Sequence, residues 1–116
     1  MPRTSNGAAV GTVESTTNKV MTRSYDFDAA AVEYAQRIIR MPLSWNLGTF
    51  TYQAHWTAAS GSGGVRWALQ ALALRDDDAI DTALGTAVLT TDTLITANDW
   101  HIGPESGAVT PAGTAA

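Results

Sequence analysis

Hydrophobic and polar positions alternate most clearly between Thr49 and Thr57. Phe50, Tyr52, Ala54 and Trp56 fall on one side of an extended chain, and Thr49, Thr51, Gln53, His55 and Thr57 on the other. A period of two with aromatic and β-branched residues predicts a half-buried strand. Val65, Trp67, Leu69, Ala71 and Ala73 share one face of a second strand, after the flexible loop Ser60-Gly61-Ser62-Gly63-Gly64. A strand from Tyr34 to Met41 is expected to end at Pro42, with the turn Asn46-Leu47-Gly48 leading into the next. Further strands are expected at Lys19–Phe27, Thr86–Thr93 and Trp100–Gly103, with a short one near Ala108–Thr110.

One segment departs from the period of two. Ile80 and Leu84 stand four apart, with aspartates before them and Gly85 after. That predicts a short helical turn near 78–84 with an N-cap and a C-terminal glycine. Six or seven short strands with one such turn point to an all-β fold, an antiparallel β-sandwich of jelly-roll type.

The two ends lack any period. Residues 1–17 are mostly Gly, Ala, Ser, Thr and Asn and read as an extended N-terminal arm. Residues 18–103 form the sandwich domain, and residues 104–116 an extended C-terminal segment with one short strand, where Val109 is the sole bulky apolar residue. Small neutral side chains bury too little area to offset the cost of ordering the backbone. They suit strand addition to a neighbour's sheet edge, so the arm is expected to lie across an adjacent subunit.

Composition narrows the function. Of 116 residues, 45% are hydrophobic and 16% charged, which suits one domain with a modest core. No run reaches the roughly 18 apolar residues of a membrane span. The net charge of −4 disfavours both nucleic acid and anionic lipid as partners. There are no cysteines, which removes disulfides, thiolate metal sites and cysteine nucleophiles together.

Candidate chemistry is sparse. Asp76, Asp77, Asp78 and Asp81 form the one acidic cluster and are the only candidates for a hard cation such as calcium. Their spacing does not fit an EF-hand, and turn and capping chemistry accounts for them without an ion, so no metal is expected. Two histidines without a cysteine cannot complete a zinc site, and neither a nucleophile elbow nor a phosphate-binding loop is present. No catalytic residue and no cofactor are expected. Trp56 and Trp67 lie on apolar strand faces and read as core. Trp45 and Trp100 flank turns and are interface candidates, together with Pro2, Arg3 and Asn6 of the arm.

Three runs carry a family resemblance: Tyr34-Ala35-Gln36-Arg37-Ile38-Ile39-Arg40-Met41-Pro42-Leu43-Ser44-Trp45-Asn46; Trp67-Ala68-Leu69-Gln70 with Asp76-Asp77-Asp78-Ala79-Ile80-Asp81 and Gly85-Thr86-Ala87; and Pro2-Arg3-Thr4-Ser5-Asn6-Gly7-Ala8-Ala9. Together they resemble a family of uncharacterised phage and prophage proteins common in alphaproteobacteria. Arg37 departs from it, standing where an aromatic residue is more usual, and family members continue beyond the equivalent of Ala116 with another strand pair. The resemblance implies a virion structural role in a fibre, tail appendage or capsid decoration. It implies no catalytic residues. The expected partners are other virion proteins and further copies of the chain, a homotrimer first. The rival expectation is a carbohydrate-binding module that reads host surface glycans through its tryptophans.

Overall fold

A computed structural model describes residues 1–113. Among these residues the fold is all-β without a helix: six strands, β1 (Ala9–Glu14), β2 (Met21–Asp26), β3 (His55–Trp56), β4 (Gly64–Leu69), β5 (Val88–Thr93) and β6 (His101–Ile102). They form three two-stranded antiparallel sheets, β1–β2, β3–β6 and β4–β5. The chain divides into two compact units, Met1–Pro42 and Leu43–Ala116.

In the first unit, β1 and β2 pair from Ala9 opposite Asp26 to Glu14 opposite Met21. Ser15 closes the connecting loop. Its amide donates to the Val20 carbonyl at 2.9 Å, and its Oγ accepts from the Val20 amide at 2.9 Å. Lys19 takes a left-handed φ of 57° there, and its Nζ lies 3.4 Å from the Glu14 carboxylate. Residues 9–14 of the expected arm are therefore a strand paired within their own chain.

The second unit is built around an antiparallel run longer than its named strands. Phe50 and Val109 exchange both backbone bonds, Ser106 N donates to Tyr52 O, and Gly103 N donates to Ala54 O at 2.8 Å. The ladder then continues into His55 opposite Ile102 and Trp56 opposite His101. The alternation predicted for Thr49–Thr57 holds residue by residue in burial, with even positions half-buried and odd ones exposed. β4 and β5 pair from Gly64–Thr93 to Leu69–Val88. Beyond β4, Ala71 O accepts from both Gly85 N and Ala112 N at 3.0 Å, which ties the C-terminal segment down. The strand expected near Ala108–Thr110 is a single bridge at Val109, and residues 114–116 of that segment lie outside the described residues.

The helical turn expected near 78–84 does not form. Inside the segment Thr82 N donates to Ile80 O at 3.0 Å, two residues back instead of the four a helix needs; just before it Asp77 sits at φ 68°, and Asp78 accepts from the Arg75 amide at 2.8 Å. The apolar pair meant to hold the turn is poorly covered, with Ile80 85% and Leu84 45% exposed. The strand expected over Tyr34–Met41 is reduced to bridges at Tyr34 and Ala35. Its sequence Arg37-Ile38-Ile39-Arg40 sets two apolar residues side by side, so no single face collects them.

The apolar core is small. Among the described residues, Ala8, Leu94 and Val109 are the buried hydrophobic ones, and Val109 is fully enclosed at 0% exposure. Twenty large hydrophobic side chains among the described residues are exposed. The accessible surface is 8922 Å². Two independent compact bodies of these sizes would expose about 7,300 Å² together, roughly 1,600 Å² less.

Candidate functional site

The densest side-chain arrangement lies in the second unit, where Tyr52, Trp56, Trp67, Thr90, Asp92 and His101 converge. The period of two puts Tyr52 and Trp56 on the same inward face, and the antiparallel register puts His101 opposite Trp56. The Tyr52 hydroxyl donates to Val88 O at 2.7 Å, with Trp67 O 3.2 Å away and the Thr90 hydroxyl at 3.5 Å. It thus pins the 50–56 segment to both strands of the β4–β5 hairpin. Trp56 Nε1 donates to the Asp92 carboxylate at 2.9 Å. The Trp56 ring stands 6.3 Å from Trp67 at 60°, and 5.0 Å from the imidazole of His101. His101 is buried, and its Nε2 pairs with Thr96 O at 2.9 Å. Thr96 to Asn98 turns back through Asn98 N to Ala58 O at 2.8 Å.

The Tyr52 hydroxyl, the Trp56 indole nitrogen and the His101 imidazole each meet a polar neighbour, so the arrangement fixes rings and strands. His55 accepts from Trp100 Nε1 at its Nδ1, 3.2 Å away, and the two rings meet edge to face at 5.7 Å. Both histidines thus use a ring nitrogen to hold an adjacent element.

The interface candidates separate. Trp100 is 65% exposed. Trp45 is half-buried, and its Nε1 is buried with no hydrogen-bond partner among the described residues. Pro2, Arg3 and Asn6 fold back on their own chain. Pro2 bridges Ala35, Arg3 lays its guanidinium 4.1 Å from the centre of the Tyr34 ring, and Asn6 O accepts from Tyr34 N at 2.8 Å. Asn6 sits at φ 52°, a conformation asparagine tolerates, and this reverses the chain. At Gly7 a Cβ would collide with the Arg3 carbonyl oxygen, so the reversal needs glycine.

Sequence reasoning took the opening residues for an arm because they carry few apolar groups. The contacts that hold them are backbone bonds and one cation–π stack, which leave no hydrophobic period. It also placed Trp56 and Trp67 in the interior but missed Asp92 as the indole's acceptor. Aspartate in the run Thr91-Asp92-Thr93 carries no local signal that a tryptophan 36 residues away needs it.

The four aspartates remain a surface loop. Asp78 accepts from the Arg75 amide, and its carboxylate lies 3.7 Å from Arg75 Nε. Among the described residues no three or more histidine, aspartate or glutamate side chains gather closely enough to hold a metal ion. A cleft of about 160 Å³ runs beside this loop, lined by Leu72, Leu74, Asp78 and Thr82 among others, but the Thr82 hydroxyl already donates to Ala79 O. Among the described residues no helix is long and apolar enough to cross a membrane. The chain matches no family model, no curated protein and no solved structure.

Proposed function

We propose that this chain is a structural assembly module that completes its core against neighbouring subunits, and that it does so as a virion protein of a bacteriophage, in a fibre, tail appendage or capsid decoration. The observation that carries the assembly reading is the mismatch, among the described residues, between three buried hydrophobic residues and twenty large exposed ones. A small domain needs its large apolar side chains in a core to hold its fold, whereas obligate interfaces resemble a domain core cut in half. The excess of about 1,600 Å² is what one or two interfaces of ordinary size remove from a chain. The sheets support the same reading, since an isolated two-stranded sheet is marginal in water and gains stability from further strands or a packed face. The jelly-roll-like sandwich is, on this proposal, the closure these sheets reach with neighbours in place. The particle assignment rests on the resemblance of the three runs described above. A homotrimer is the first symmetry to test, by analogy with fibre axes and local threefold sites.

The carbohydrate-binding alternative needs exposed aromatic faces. Trp100 offers one, but it stands edge to face with His55, and the other three tryptophans are half-buried. This favours assembly over glycan reading.

Thermal melting across a hundredfold range of protein concentration tests the assembly reading. A melting temperature that climbs with concentration is expected, because association stabilises by mass action. A constant value with a monomeric mass overturns it. Mass spectrometry of purified particles tests the location: the protein should be present in fixed, multiple copies per particle. Glycan binding abolished by Trp100→Ala would transfer the proposal to the alternative.

A further inference from the structure

We propose that the outer edge of β1 is a self-assembly edge, which pairs antiparallel with the β1 edge of a second copy and joins two hairpins into one four-stranded sheet. This rests on the assembly reading and names the surface and the partner.

Among the described residues, neither outer edge of the β1–β2 hairpin makes a backbone–backbone hydrogen bond. Alternate N–H and C=O groups along six residues are therefore open for pairing. Natural edges are guarded by charge, proline or a bulge. β1 has none of these between Ala9 and Val13, where the sequence is Ala-Val-Gly-Thr-Val, and it pairs with β2 without interruption. Its one charge, Glu14, stands at the end of the strand and is held by Lys19. β2 is guarded, with Arg23 inside the strand and Asp26 at its end. Pairing two β2 strands about their centre would bring two Arg23 side chains together, which costs stability.

The register admits the contact. Residues opposite one another in an antiparallel pair share a sheet face, so a twofold axis passes through a residue, Gly11 or Thr12. Through Gly11 it sets Val10 against Thr12 and Ala9 against Val13; through Thr12 it sets Gly11 against Val13 and Val10 against Glu14. The Asp26 carboxylate reaches over Gly11, so the Gly11 axis would bring two of them together; the Thr12 axis opposes no like charges and is the register proposed. One face of the hairpin already gathers Val10, Tyr25 and Met21, since Val10 lies opposite Tyr25 and Met21 opposite Glu14. Val10 is 47% and Met21 59% exposed, with Thr12, Glu14 and Arg23 on the same face, so the four-stranded sheet doubles a mixed face whose apolar members are open to further packing. The contact is isologous and produces a dimer, or joins two threefold rings back to back.

The chain has no cysteine, which makes single-cysteine cross-linking clean. Thr12→Cys and Val13→Cys on β1 are compared with Thr22→Cys and Ser24→Cys on β2, in the full chain under mild oxidation. Directly opposed residues near the axis have Cα atoms about 4.5–5.5 Å apart, within reach of a disulfide. The expected result is disulfide-linked dimer forming at least an order of magnitude faster from Thr12→Cys than from either β2 variant. Thr12→Lys should separately lower the oligomer mass while the far-ultraviolet spectrum stays β-rich. If the chain sediments as an oligomer but β1 cross-links no faster than β2, and Thr12→Lys assembles normally, this edge is not the contact and the assembly reading stands. If the chain is a folded monomer, both fail.

Discussion

Removing the Tyr52 hydroxyl probes the clamp at the centre of the second unit. Tyr52→Phe keeps the ring on its inward face and deletes the donor to Val88 O at 2.7 Å, together with the longer contacts to Trp67 O and the Thr90 hydroxyl. A hydrogen bond of this kind contributes about 0.5–1.5 kcal/mol net, and a carbonyl left dry costs about 1–3 kcal/mol. The site is part-buried, so the loss should fall near 1–2 kcal/mol, toward the middle of those ranges. For a cooperative unit of this size that corresponds to a fall in Tm of roughly 5–10 °C. The assay is thermal melting at fixed protein concentration, followed by near-ultraviolet circular dichroism because the tryptophans report local packing. Thr90→Val in the Phe background should add less than it does alone, since the two hydroxyls share a contact. A Tyr52→Phe protein that melts with the wild type would refute the view that this hydroxyl holds the 50–56 segment to the hairpin.

Trp56→Phe removes the indole donor to Asp92 and should cost about 1–3 kcal/mol in urea denaturation, with Asp92→Ala adding little on that background. Gly85→Ala places a Cβ 2.5 Å from Thr110 O and 3.1 Å from Ala112 N, both backbone atoms that cannot swing aside; a loss of about 1–3 kcal/mol is expected from overpacking, and an unchanged urea midpoint would show that the C-terminal segment is not held there. Calcium and chelator should leave the melting temperature unmoved, because Asp78 is engaged by Arg75 and the described aspartates do not gather around a common point; a saturable calcium-dependent rise would reassign that loop to ion binding.

Alternation was legible wherever one side of a segment faces the interior. Thr49–Thr57 carries its period of two into the structure, Val88–Thr93 lies inside the strand expected over Thr86–Thr93, and Gly64–Leu69 begins one residue into the expected loop and covers the first part of the strand expected from Val65. The ends were not legible, for two reasons. Ala8 and Val109 do the burying there, and a lone small apolar residue among Gly, Ala and Thr produces no period. The bonds that tie down Met1–Gly7 and Val109–Ala112 are mostly between backbone groups, which every residue supplies alike, with the amino terminus on the Tyr25 hydroxyl as an addition. The helical turn failed for the opposite reason. Ile80 and Leu84 have helical spacing, but spacing stabilises a turn only when tertiary packing covers the apolar pair, and the Thr82 amide bonds Ile80 O, two residues back, instead. At the candidate site the aromatic members could be read from their strand faces, whereas Asp92 and the Thr96 carbonyl matter only through long-range register.

The central claim is that this chain buries its apolar surface on other subunits, and sedimentation equilibrium of the full chain at micromolar concentration tests it most directly. The account predicts a mass that is a multiple of 12.2 kDa, falling toward the single-chain value on dilution together with loss of near-ultraviolet signal. A species of 12.2 kDa at every concentration, with a sharp melt that does not move on dilution, would contradict it.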